Sequence, residues 1–343
     1  MACAQWTIQN SNTTADLYSV DASGSGVAWA SGANGTVLRT QNNGDFWQVC
    51  SVPLHTEHAD FRAIQAIDGQ SAVVMSSGKG RLSRLYKTSD GCKTWKLVFE
   101  NPDEAGSFAN LRRISASQFY LLGQPVEGKF PVFLSQDGGE TWFATDDPGL
   151  DAQVGLHVAG NSNAAMYSEA ASLYFGTVGG EKSYVYFTYP KCDKSKGDGQ
   201  CAMAWDRAEV PIAAGIASIA FRTQLSMATG ELKIIGVAVG GNPDTPGYAS
   251  ASAAYTVDGK VWKVATAMPG GYRSAVGYNK AARTWIAVGP NGIDISSDNG
   301  RTWRPLKTDA KDSQDTDKNW TAISFPFVVG PHGRIGKSVD DNQ

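Results

Sequence analysis

Histidine and cysteine are scarce in this chain, four and five among 343 residues, and charged side chains make up only 18%. Histidines and cysteines do not gather into a set of four ligands at zinc-site spacing, so no metal is implied. Lys and Arg form no block, and the net charge of −3 is spread along the chain, which removes the electrostatic footprint of a nucleic-acid binder. No apolar run approaches the roughly eighteen residues that span a bilayer. A Gly-rich phosphate loop, a dinucleotide fingerprint and a nucleophile elbow in a strand-to-helix setting are missing too, so no cofactor is implied and a nicotinamide enzyme is unsupported.

What the chain does have is glycine, 38 residues of it, and a repeat. Ser135-Gln136-Asp137-Gly138-Gly139-Glu140-Thr141-Trp142 has the form S/T-x-D-x-G-x-T-W, and Ser296 to Trp303 is a second full copy. Thr88 to Trp95 is a third, with Cys92 in the glycine slot; Thr40 to Trp47 is a decayed copy and Thr256 to Trp262 is one residue short. Asp and Ser/Thr side chains close such a turn on backbone N–H groups, and Gly supplies the positive φ it needs. Each copy is a self-capped hairpin turn whose Trp opens the next strand.

Trp47, Trp95 and Trp142 follow at near-equal steps, and a gap of more than two steps then precedes Trp262, so one repeat lacks the turn motif. Seven apolar, Gly-terminated segments mark the full count: Val27 to Gly32, Ala72 to Gly78, Phe119 to Gly123, the segment around Leu173, Ile234 to Gly240, Trp285 to Gly289 and Phe327 to Gly330. β-branched and aromatic enrichment makes these strands. Innermost strands precede them at Leu17 to Val20, Phe61 to Ile64, Leu111 to Ile114, Ile216 to Phe221, Tyr272 to Val276 and Trp320 to Ile323, with the fourth copy near Val154 to Val158. Four short strands per unit of about 47 residues is a propeller blade. The expectation is an all-β, seven-bladed β-propeller of four-stranded antiparallel blades over residues 5–343. Because the seventh repeat stops without its last strand, Trp6 to Gln9 should supply it and close the ring.

Cys192 and Cys201 flank a Lys-, Gly- and Asp-rich stretch where the fourth turn motif should be, and a disulfide closing that loop is expected. Cys50 and Cys92 sit near the outer edges of consecutive repeats and make a second bridge. Two disulfides imply an oxidising, secreted or periplasmic setting. Residues 1–4 agree: Ala2-Cys3-Ala4 looks like the small-residue end of a signal peptide behind an added Met1, with a lipid-anchor Cys3 as the alternative.

The turn motif resembles the Asp box, or bacterial neuraminidase repeat, of sialidases, xyloglucanases and sortilin-type receptors. From Trp6 to Ser338 the chain more closely resembles the single seven-bladed propellers related to the photosystem II stability and assembly factor. That resemblance implies a non-catalytic scaffold gripping a protein partner, partly through arginines on one face. Arg62, Arg112, Arg113, Arg222 and Arg273 fall on or beside innermost strands. The sialidase resemblance implies an arginine triad holding a carboxylate. Phe61-Arg62-Ala63-Ile64 partly echoes the sialidase Arg-Ile-Pro segment without its proline.

In a four-stranded blade the second-to-third turns and the interblade loops share one face, so a site belongs there, at the central channel. Arg62, Arg113 and Arg273 occupy related places in their repeats, where guanidinium forks suit a carboxylate or phosphate. His55 and His58, spaced HxxH in an interblade loop, and Tyr272 are the candidate proton-transfer groups. His332 in Gly330-Pro331-His332-Gly333 stands where Asn291 stands in Gly289-Pro290-Asn291-Gly292; a turn residue tolerant of unusual φ explains both, and a ligand contact is the other reading. The leading expectation is a monomeric, non-catalytic propeller that binds a protein or glycan on its loop face. The alternative is a glycoside hydrolase or uronate-directed polysaccharide lyase at the central pocket.

Overall fold

The structure, a computed structural model, describes residues 6–145, 150–159, 166–169, 172–192, 201–225, 230–306 and 315–338. It is a seven-bladed propeller of antiparallel four-stranded sheets. Blade 1 runs Leu17–Gly24, Val27–Gly32, Val37–Thr40, Gln48–Val49 from the axis outward, and blades 2, 3, 5 and 6 repeat that order, while blade 4 has two short strands at the innermost position. In blade 7 the strands Ala322–Ser324, Phe327–Val329 and Ile335–Ser338 are completed by Trp6–Gln9, with Trp6 opposite Ser338 and Gln9 opposite Ile335. The N-terminal strand thus closes the ring as the truncated seventh repeat requires. No helix among the described residues is long and apolar enough to cross a membrane.

Each blade buries both faces, so its strands are nearly continuous in apolar residues. Seven apolar clusters lie among the described residues, and each joins neighbouring blades. Two depend on the closing strand's blade: Leu17, Leu38 and Trp47 pack on Phe327 and Ile335, and Trp6 packs on Ile286, Val288, Trp320 and Val328.

The turn motifs form as the sequence dictates. In blade 3 the Gly139 amide donates to Ser135 Oγ at 2.9 Å, while the Glu140 and Thr141 amides donate to Asp137 Oδ1 at 3.0 Å and the Thr141 hydroxyl donates to Oδ2. Blades 1, 2, 5 and 6 repeat the serine or threonine part through Gly44, Cys92, Gly259 and Gly300. The Thr94 and Thr141 hydroxyls and amides hold the Asp90 and Asp137 carboxyls down to about 2, from an ordinary 3.8. A depressed folded-state value contributes stability that is complete above the unfolded value and is lost as pH falls toward 2. The melting temperature should therefore be flat from neutrality to about pH 4.5 and fall between about pH 4 and 2. In Asp137→Asn that acid-induced fall should be shallower, as read by circular dichroism across a pH series.

Cys92 adopts φ +65° in the slot where Gly139 has +85°, and its sulfur is bonded to Cys50 of blade 1. A side chain costs about 1 kcal/mol in that left-handed conformation, and the crosslink offsets it. Replacing both cysteines by serine should lower stability by about 2–4 kcal/mol in a denaturant titration without reductant, since the bond closes a 42-residue separation. Cys192 is also disulfide-bonded, and Cys201 stands opposite it in the register of a long hairpin, Ser183–Cys192 with Cys201–Val210. The loop between them and residues 1–4 lie outside the described residues.

Four inner strands start away from the expected residue, the seventh at Ala322 instead of Trp320. In blade 4 the inner position is split: His157–Val158 and Met166–Glu169 both pair with Ser172–Val178. In blade 3 the strand is Phe108–Arg113, beginning earlier than expected, with a bulge between Phe108 and Asn110 like those in blades 1, 2 and 5. In blade 6 it begins at Ala275, after Tyr272 and Arg273.

Candidate functional site

Chain direction places the second-to-third turns and interblade loops at one end of the ring and the Asp-box turns at the other. On the loop face lie two recesses. One, of about 260 Å³, sits at the mouth of the channel between blades 5, 6 and 7, walled by Tyr272, Ser274, Pro290, Trp320, Thr321 and Pro331. The other, of about 460 Å³ and wide open, lies between blades 2 and 3 over Asp60, Arg62, Ser77, Lys79 and Ser107. Deeper in, the axis narrows to a cavity of about 60 Å³ among Ser19, Asp21, Arg112, Tyr167 and Ser324, room for about two waters. The channel is thus nearly plugged.

The arginines expected to converge do not. Arg273 is 2% exposed. Its Nε donates to Asp294 Oδ2 at 2.7 Å, Nη2 donates to the same oxygen, and Nη1 donates to Asn291 Oδ1 at 2.6 Å and to the Tyr272 carbonyl at 2.9 Å. Asp294 also accepts from the Gly270 amide at 3.1 Å. This guanidinium has its carboxylate already and is a strut beneath the loop face, not a ligand fork. Arg62 stays on the loop face, paired with Asp60 at 2.6 Å and stacked 3.9 Å from the Tyr18 ring of blade 1. Arg113 lies at the far end of its strand, opposite Phe119, so it is not level with Arg62 or Arg273.

Arg112 and Arg222 are also toward the Asp-box end, each stacked on a tyrosine of the next blade, Arg112 on Tyr167 at 4.8 Å and Arg222 on Tyr278 at 4.9 Å. Arg222 further donates to Asn299 Oδ1 at 2.8 Å. Cation–π contacts of this kind tie blade to blade. Asp21, buried beside Arg112, has its carboxyl pushed up by burial, against the pull of Arg112 and the Ala66 amide. The tyrosines and Asp21 were not singled out from sequence, because their role depends on which blade follows which.

His55 and His58 are exposed on their loop and line neither recess. His55 has φ +65°, and its amide donates to Glu57 Oε1 at 3.3 Å. No cluster of His, Cys, Asp and Glu able to hold a metal occurs among the described residues. His332 is exposed at φ +57°, its amide donating to Asp16 Oδ1 at 2.9 Å. Asn291 does not share that conformation. It is the acceptor for Arg273, and its Nδ2 donates to the Pro246 and Gly270 carbonyls. The matching sequence positions therefore hide two different jobs. Tyr272 alone of these candidates reaches the channel mouth, with burial pushing its hydroxyl pKa up.

Ring size, single-ring closure and Asp-box turns define a seven-bladed Asp-box propeller with an open loop face. Residues 2–223 match the family model of the photosynthesis system II assembly factor YCF48, and the chain belongs to that family. No curated protein matches it in sequence. Among solved structures it is similar to YCF48 bound to a D1 peptide, at TM-score 0.65 and 15% identity over 99% of both chains. It is similar to YCF48 from Cyanidioschyzon merolae at TM-score 0.65 and 17% identity, over 99% of this chain and 100% of that one. A GH74 xyloglucanase from Xanthomonas campestris matches at TM-score 0.52 and 14% identity, over 92% of this chain and 56% of that one. At these identities the likenesses concern the fold alone.

Proposed function

We propose that the protein is a non-catalytic binding platform for a protein partner, acting through its loop face as a monomer in a secreted or periplasmic setting. The observation that carries this reading is the set of apolar tips on that face: Leu54 is 85% exposed, Leu82 69%, Val154 99% and Tyr248 66%. All four lie on interblade loops or second-to-third turns. Exposed apolar side chains such as Phe46, Phe143 and Val261 also occur at the perimeter and on the Asp-box turns, so what sets the loop face apart is that it holds the two recesses as well. A solved YCF48 structure that holds a D1 peptide is consistent with such a role in the family. The Cys50–Cys92 bond supports the oxidising compartment.

The carbohydrate-active alternative needs arginines and a proton-transfer group in one pocket. The recess that holds Tyr272 has neither Arg nor His in its wall. The test is affinity purification of the tagged chain from its own cells, with Leu82→Asp, Val154→Asp and Tyr248→Asp compared against Phe46→Asp and Phe143→Asp at the perimeter. Loop-face changes should lower recovery of a stoichiometric protein at least tenfold and perimeter changes should not. Turnover of xyloglucan or a uronic-acid polymer by the wild type would sink the reading.

A further inference from the structure

The recess at the channel mouth has a chemistry of its own. Its wall carries no ionisable group except the Tyr272 phenol, and its volume of about 260 Å³ falls below the roughly 300–1,000 Å³ of pockets built for whole small molecules. It has room for one large side chain. Of the two aromatic residues in the wall among the described residues, Trp320 is 2% exposed and Tyr272 is the more open. Single-faced and uncharged, the site lacks the carboxylates and paired platforms that hold a sugar.

The Tyr272 hydroxyl makes no hydrogen bond to another described residue, and it is not among the buried unpartnered side-chain atoms, so it meets water. A donor held there exchanges that water for an acceptor on a ligand. Its backbone, by contrast, is pinned on both sides. The Tyr272 amide donates to the Pro246 carbonyl at 2.9 Å, and its carbonyl accepts from Arg273 Nη1. Asn291, held by Arg273, donates to the same Pro246 carbonyl. Gly271, at φ +136°, lets the chain pass so close to Pro246 that a Cβ would collide with its carbonyl oxygen. The strut under Arg273 therefore fixes the backbone that carries the ring before any ligand arrives, which lowers the ordering cost of binding. Tyr248 is exposed on the same loop as Pro246.

We infer that this recess receives one uncharged apolar side chain of an extended partner segment, with the Tyr272 hydroxyl donating to that segment's backbone carbonyl. The inference rests on the partner-binding reading above and names where and how the partner is anchored. Arg273 is a positioning residue in it.

The probes are N-acetyl-L-leucinamide and N-acetyl-L-phenylalaninamide, titrated into the full chain while the Ser274 and Thr321 amide resonances are followed. N-acetyl-L-lysinamide, N-acetyl-L-aspartate and methyl glucoside are the controls. Saturable shifts are expected with the two apolar amides, at least tenfold weaker with the charged ones and absent with the sugar. Tyr272→Phe should weaken binding roughly two- to tenfold, the value of one hydrogen bond. Ala217 also lines the recess, so Ala217→Trp should abolish binding by filling it, and Thr321→Phe fills it from blade 7 should the first variant misfold. Equal response to charged probes or to the sugar, or unaltered affinity in the filled variants, overturns the inference. If the probes fail while Leu82→Asp still releases the partner, the anchor is wrong and the platform stands; if no loop-face change releases a partner, the platform itself fails.

Discussion

Asp294→Ala is expected to destabilise the protein by about 3–5 kcal/mol, because it leaves the Arg273 guanidinium buried without its carboxylate. The two side chains are 3% and 0% exposed, so neither finds water in the folded state. Gly270 loses its acceptor as well. The double variant Arg273→Met with Asp294→Leu should recover most of that loss, since apolar pairs of similar volume replace buried ion pairs at little cost. Equilibrium denaturation of the single and double variants measures both. The double variant should nevertheless bind the apolar amides less tightly, because Asn291 and the Tyr272 carbonyl lose the group that holds them. Stability restored with binding still reduced would separate the strut's two roles.

Trp6→Ala should cost about 3–5 kcal/mol in the same measurement, the usual range for emptying a buried tryptophan site. The indole fills the interface between blades 6 and 7 and stacks on Phe325 at 6.4 Å between centroids. Its Nε1 is buried without a partner, so Trp6→Phe, which deletes that donor, should cost only a fraction as much. Removing residues through Gln9 goes further and leaves the Ile335–Ser338 strand with a bare edge. Such an edge pairs with other chains, so that variant should oligomerise in size-exclusion chromatography at concentrations where the full chain does not.

The ring was legible in the sequence because propeller packing repeats. A Trp at each outer strand and a Gly at or near the end of each second strand recur once per blade, and a missing last strand at one terminus demands a donor at the other. The fourth inner strand was less legible. Its two halves, His157–Val158 and Met166–Glu169, pair with one continuous partner, and nothing in their composition announces the interruption.

Side-chain roles were the hardest to read. Arg62, Arg113 and Arg273 look equivalent along the chain, yet Arg62 is the second residue of Phe61–Ala66, Arg113 the last of Phe108–Arg113, and Arg273 precedes a strand that begins at Ala275. Arg273 meets Asp294 of the third strand, Gly292–Ser296, and local sequence gives no sign that the carboxylate lies beneath it. Tyr272 was found by position alone. Its pinned backbone and unused hydroxyl needed the fold to be seen.

The central claim is that partner binding belongs to the loop face. The most direct measurement is photo-crosslinking in the native cells from a benzoylphenylalanine placed singly at Leu82, Val154 or Tyr248, and at Lys93, Glu140 or Arg301 on the Asp-box turns. The loop-face positions should give one common crosslinked protein and the Asp-box positions none. Crosslinks from the Asp-box positions alone would contradict the claim and move the interface to the end of the ring that holds Arg112 and Arg222.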